Sequence, residues 1–276
     1  MPDAPEPTDA PEPTGDPEAD RDLAGLLGLL AGGPPEVARE RIALALRRAL
    51  TLRIFTDDRV PSERWLAEAF GVSRITVRQA LGLLRDQGMV RSGGSRRAGM
   101  VSLPRSTSDP SAPTALLAGA MRDIADIMVF RAVVESEIAR LAATRADAAL
   151  TGRLRASVAA LEEAPDPTAF RRADSEFHLA LAKACGNRRL MGAVLVARAD
   201  LLRWRDLLPM PDDVAENLAE HGRIVAAIEA GDGDAAAAAM AEHLGGTLAS
   251  FEAHVREMAS VAADATLPAA TADPRP

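Results

Sequence analysis

The sequence predicts a mainly α protein in two folded parts. Three observations lead there. Alanine and leucine, both good helix formers, dominate a chain that is 47% hydrophobic but only 3% aromatic. A Pro/Ser stretch at 104–114, PRSTSDPSAPT, has the composition of a linker and divides the chain. Beyond it, apolar residues recur at helical spacing to about residue 260, interrupted only by short Pro-, Gly- or Asn-bearing connections.

Taken in order, residues 1–20 are rich in Pro, Asp and Glu and, Met1 apart, lack any large apolar side chain. Such a segment buries too little surface to offset its ordering entropy. The apolar run 21–31 can form a short helix that Gly32-Gly33-Pro34-Pro35 ends, and 1–35 as a whole is expected to be a disordered acidic tail. The next helix is expected over 36–52. VPSERWLAEAFGVSRITVRQALGLLRDQGMV (60–90) then reads as two short helices around Gly71, with Ser73 placed to cap the second. Val77, Ala80, Leu81 and Leu84 make one apolar stripe, while Arg74, Thr76, Arg78 and Gln79 fall mainly on other faces. MVRSGGSRRAGMVSL follows as two short strands around a glycine turn. Residues 36–103 therefore read as a winged helix–turn–helix, the geometry that sets a helix into a DNA major groove. Helices are expected near 115–146, 147–164, 167–185, 187–208, 212–230 and 233–260. Their short connections favour an antiparallel all-α bundle over 115–260, with a flexible tail at 261–276.

Charge agrees with this division. The net charge is −8, yet residues 36–105 hold fourteen bases and seven acids, whereas 1–35 hold eight acids and one base. A basic segment in an acidic chain points to a polyanionic partner for that segment alone. A single cysteine, Cys185, excludes an internal disulfide and fits a reducing cytoplasm. No run approaches the roughly 20 apolar residues of a membrane span.

Four histidines are present, and three stand where a bundle could bring them together. Asp174 and His178 are four residues apart, on one helical face; His221 and His243 lie on later helices. One carboxylate with three imidazoles suits a divalent transition metal such as Zn, with Ni or Mn as other candidates. The alternative is ordinary surface or satisfied core histidines, with Asp174 paired to Arg171 or Arg172. His254 lies too far along the axis to join. Arg131 either pairs with Glu135 one turn on or points into the bundle, where its guanidinium could hold a carboxylate at two points. No GxSxG, CxxC or phosphate-cradling glycine loop supports nucleophilic or nucleotide chemistry.

The 60–90 stretch resembles the winged helix–turn–helix of GntR-type transcriptional regulators. It carries Pro-Ser-Glu-Arg, Leu-Ala, Gly-Val-Ser-Arg, Thr-Val-Arg and Ala-Leu, then Gly before a strand. The C-terminal half resembles the FadR-like effector domain called FCD. There the shared features are Arg131 and Glu135, LAATRA, Asp174 and His178, Gly186-Asn187, Glu220-His221, Gly231-Asp232 and His243-Leu244.

The resemblance implies that Arg64, Arg74 and Arg78 touch DNA, with Ser73 and Thr76 available to phosphates and the wing glycines Gly93 and Gly94 at the minor groove. It implies that Asp174, His178, His221 and His243 bind the metal and that Arg131 contacts a bound carboxylate. Asn187 matches a pocket-side asparagine, with helix capping as its other reading. A homodimer binding a palindromic operator, controlled by a small carboxylate and acting more often as repressor, is the implied function. A metal-dependent hydrolase-type enzyme, or a regulator with a purely structural metal, are the alternatives. The chain departs from the pattern in Leu52–Asp58, where the family has glycines, in its wing, and in its acidic extension.

Overall fold

The computed structural model describes residues 16–31, 38–55, 59–92, 100–102, 114–207 and 214–265. The N-terminal head contains α1 (Pro17–Leu30), α2 (Ala38–Thr51), α3 (Glu63–Phe70) and α4 (Arg74–Asp86), then a hairpin of β1 (Val90–Ser92) and β2 (Met100–Ser102). The strands are antiparallel, with Arg91 opposite Val101. The wing turn at 93–99, including Gly93 and Gly94, lies outside the described residues, as does the linker over 104–113.

Local chemistry sets the head. Ser62 caps α3 by accepting from the Trp65 N–H at 3.2 Å, and Ser73 caps α4 by accepting from Thr76 at the same distance. Between them Gly71 takes the left-handed conformation at φ 65°, closing α3 with its own N–H bonded to Glu68. The turn after α2 achieves the same closure without glycine. Arg53 sits at φ 55°, and the N–H groups of Arg53 and Ile54 bond back to Leu50 and Ala49.

The acidic tail expected over 1–35 is corrected over 17–30. Asp16 caps α1 and Pro17 opens it, and the helix buries Leu23, Leu26, Leu27 and Leu30 against the head. These leucines stand at i, i+3, i+4 and i+7, a complete apolar stripe. The same core takes in Leu195, Ala199 and Leu202 of the bundle, so the head and bundle share packing. Arg48 and Asp200 (3.5 Å) and Lys183 and Asp22 (3.2 Å) bridge the same seam.

The bundle comprises α5 (Thr114–Ala143), α6 (Ala148–Glu162), α7 (Pro167–Ala184), α8 (Arg188–Leu207), α9 (Val214–Glu229) and α10 (Gly233–Ala265). α5 is a single helix of 30 residues, and α10 runs five residues into the segment expected to be a tail. The two long helices pack together, α6 lies on α7, and α9 lies on α10. Ile124, Met128, Phe177, Leu181, Ile224 and Met240 form the centre of the core.

Candidate metal centre and nucleic-acid interface

Asp174 and His178 of α7, His221 of α9 and His243 of α10 meet inside the bundle. All four are buried, and one ligand atom from each lies within 4.8 Å of the others. The Nε2 atoms of His178 and His221 each stand 3.6 Å from the same Asp174 oxygen, Oδ1. That is too long for a hydrogen bond. Neither Nε2 has any hydrogen-bond partner, nor has His221 Nδ1. Buried ring nitrogens left unpaired are rare because desolvation is uncompensated. A shared cation removes that penalty, so the donor set fits a divalent metal.

The groups behind the ligands support this. His178 Nδ1 is 2.5 Å from Glu135 Oε2, and His243 Nδ1 is 2.7 Å from Glu220 Oε2. A carboxylate only accepts, so the proton sits on Nδ1 and the lone pair of Nε2 is left for a metal. Glu135 is held in turn by Arg131 at 2.6 Å, and Asp174 Oδ2 accepts from Arg198 at 2.7 Å. Burial would push Asp174 up. The Arg198 charge and His178 override it and hold the carboxyl well below the usual range. Burial similarly opposes ionisation of Glu135, but Arg131 and His178 keep it low. Burial, then the neighbouring His243, drives His221 well below the ordinary histidine value; burial also lowers His243. Two carboxylates that stay charged and imidazoles that stay neutral are what a divalent cation requires.

Arg131 is 3% exposed and makes the Glu135 pair that was one of its two readings. That pair is not a solvated surface bridge: it anchors a histidine. Asn187 is exposed and lies at the start of α8, where its Oδ1 accepts from the N–H groups of Arg189 (2.9 Å) and Leu190 (3.3 Å). It caps a helix, the second of its two readings. His254 stays outside the cluster, its nearest carboxylate being Glu257 at 4.0 Å. The supporting roles of Arg198 and Glu220 were missed. Glu220 adjoins His221 in sequence but serves His243, a pairing only the fold creates. Arg198 is one arginine among several on α8, with no pattern to single it out.

On the head, Arg74, Arg78 and Gln79 are exposed along α4, with Thr76 half-buried. Ile75 is 66% exposed, a large apolar side chain presented on the same helix. Arg78 is held by Glu63 of α3, with Nη2 2.7 Å from Oε2. Arg64 lies 3.5 Å from Glu68.

Residues 38–98 match the family described as bacterial regulatory proteins, gntR family, and residues 126–246 match the FCD domain. The HTH-type transcriptional regulator RmpR of Mycobacterium gastri is 30% identical over 220 residues, covering 76% of this chain and 79% of its own length. The chain belongs to the GntR family. A second relative, the HTH-type transcriptional repressor NanR of Cronobacter sakazakii, is 33% identical over 233 residues, covering 79% of this chain and 85% of that one. A crystal structure of a GntR family regulator from Pseudomonas syringae pv. tomato str. DC3000 aligns over 87% of this chain and 96% of that one. Its sequence identity is 24% and its TM-score 0.44.

This GntR protein is a DNA-binding transcriptional regulator with an FCD domain, and its relatives are regulators rather than enzymes. The hydrolase alternative therefore falls. No helix among the described residues is long and apolar enough to cross a membrane.

Proposed function

We propose that the protein is a cytoplasmic repressor whose grip on a palindromic operator is set by a small carboxylate metabolite sensed in the bundle. The buried Asp174–His178–His221–His243 cluster carries this reading. Its side chains would hold Zn, with Ni or Mn as alternatives, and the ion when bound supplies a Lewis-acid anchor for a carboxylate oxygen. Arg131 is the candidate second contact for that carboxylate, since its guanidinium is already buried beside the cluster. The NanR relatives are named repressors, which supports the sign.

At the other end, Arg64, Arg74 and Arg78 are the proposed DNA-reading arginines. Ser73 and Thr76 would hold phosphates, and Gly93 and Gly94 would enter the minor groove. A homodimer provides two such helices for two half-sites. Val129, Phe130 and Val133 lie exposed on α5, an apolar strip suited to a second copy of the chain. Val133→Asp should shift sedimentation toward monomer; an unchanged sedimentation coefficient would place the dimer elsewhere.

The experiment that tests the function is capture of bound fragments from the protein's own genome. It is followed by anisotropy titration of the recovered sequence with and without small carboxylates. A recovered palindrome whose affinity falls with one carboxylate agrees with the proposal. Affinity indifferent to every carboxylate, in metal-loaded protein, contradicts it.

A further inference from the structure

A cavity of about 260 Å³ lies between head and bundle. α1 supplies one wall through Leu23 and Leu26, the Leu52–Ile54 turn supplies another, and α7 and α8 close it. Its apolar surface comes from both sides. Its charged lining is Arg53, Arg172, Lys183 and Arg198 against Asp22 and Glu176, an excess of cations. The α1 wall precedes both family matches.

Two features mark it as built for an anion. Arg198 is 4% exposed and lines the cavity, and its Nε is buried with no hydrogen-bond partner, although Nη2 is spent on Asp174. A buried N–H is normally satisfied, so this one is left available to an acceptor such as a ligand oxygen. Arg53 is the one non-glycine residue at positive φ among the described residues, and it too lines the cavity. Glycine would hold that turn at lower strain, so a cation is kept there against the backbone preference.

We propose that this interdomain cavity binds a small amphipathic organic anion, its carboxylate on Arg198 and its apolar part against the leucines of α1. The idea rests on the reading of the protein as effector-controlled, but not on the metal. Its consequence is regulatory. A ligand here touches the head directly, through α1 and Arg53, and touches the cluster through His178, which also lines the cavity, and through the Arg198–Asp174 pair. One molecule can therefore bias how the head sits on the bundle.

The test is calorimetric titration of the full chain with straight-chain monocarboxylates from two to eight carbons. Affinity should rise about fourfold per added methylene until the cavity is full. Leu179→Trp, which fills the cavity from α7, should weaken the best carboxylate by about tenfold or more. Arg53→Gly should weaken it about threefold or more while leaving Tm unchanged or higher, so poor folding cannot explain the loss. Binding indifferent to chain length overturns the proposal, as does binding unchanged in both variants. Binding lost in His221→Ala but kept in Leu179→Trp and Arg53→Gly moves the ligand to the metal; that overturns the cavity and leaves the proposed function standing. Binding kept in His221→Ala but lost in the two cavity variants supports the cavity and contradicts a metal-held effector.

Discussion

His243 Nδ1 lies 2.7 Å from Glu220 Oε2, and a Cβ added at Gly246 would stand 3.0 Å from the other Glu220 oxygen. The glycine on α10 thus leaves room for the carboxylate that orients a histidine on the same helix. Glu220→Gln should weaken metal binding roughly 10–100-fold, measured by competition with a chromogenic chelator. Gly246→Ala should weaken it in the same direction, although alanine favours the helix. Unchanged affinity in both would remove Glu220 from the site.

Protonation should act on the metal-free protein with a definite sign. His221 and His243 are held below the ordinary histidine value, chiefly by burial. Below pH about 6.5 the unfolded chain takes up protons at these rings and the folded chain does not. Their contribution is therefore fully present above that pH and is lost as pH falls toward the folded values. Asp174 and Glu135, both lowered, add a further loss below pH about 4. The Tm of metal-free protein should be lower at pH ~5.5 than at ~7.5. Equal values would mean the rings are solvated.

DNA reading should divide by residue. Arg78→Ala should weaken operator binding, with a flatter salt dependence if the contact is to phosphate or relaxed sequence preference if it is to a base. Ile75 offers an apolar contact for a thymine methyl. Replacing thymine by uracil at the affected position should cost the wild type affinity and leave Ile75→Ala indifferent. Affinity unchanged in Arg78→Ala takes that residue off the interface.

Much of this was legible in the sequence. Spacing placed α3, α4 and the Asp174–His178 pair, because caps, glycines and helical periodicity are local signals. The expected bundle made His221 and His243 candidates for the same site, and the resemblance implied the same four ligands. What stayed hidden depended on tertiary neighbours. Glu220 lies beside His221 yet serves His243, and Arg198 acquires meaning only once α8 lies against α7. α1 was grouped with the tail because its five leucines follow an acidic, proline-rich stretch and are interrupted by two glycines, Gly25 and Gly28. Helix propensity there is weak, and packing on α2 and α8 decides the outcome.

That packing is itself testable. Leu27 is fully buried between α1 and the head. Leu27→Ala should destabilise the protein by about 2–5 kcal/mol, read from urea unfolding. A change under about 0.5 kcal/mol, the range of a surface substitution, would mean α1 is not docked in solution.

The most direct test of the central claim is elemental analysis of the purified protein beside His221→Ala. The cluster predicts about one divalent transition metal per wild-type chain and little or none in the variant. Full occupancy in His221→Ala, or none in wild-type protein loaded with Zn, would contradict it.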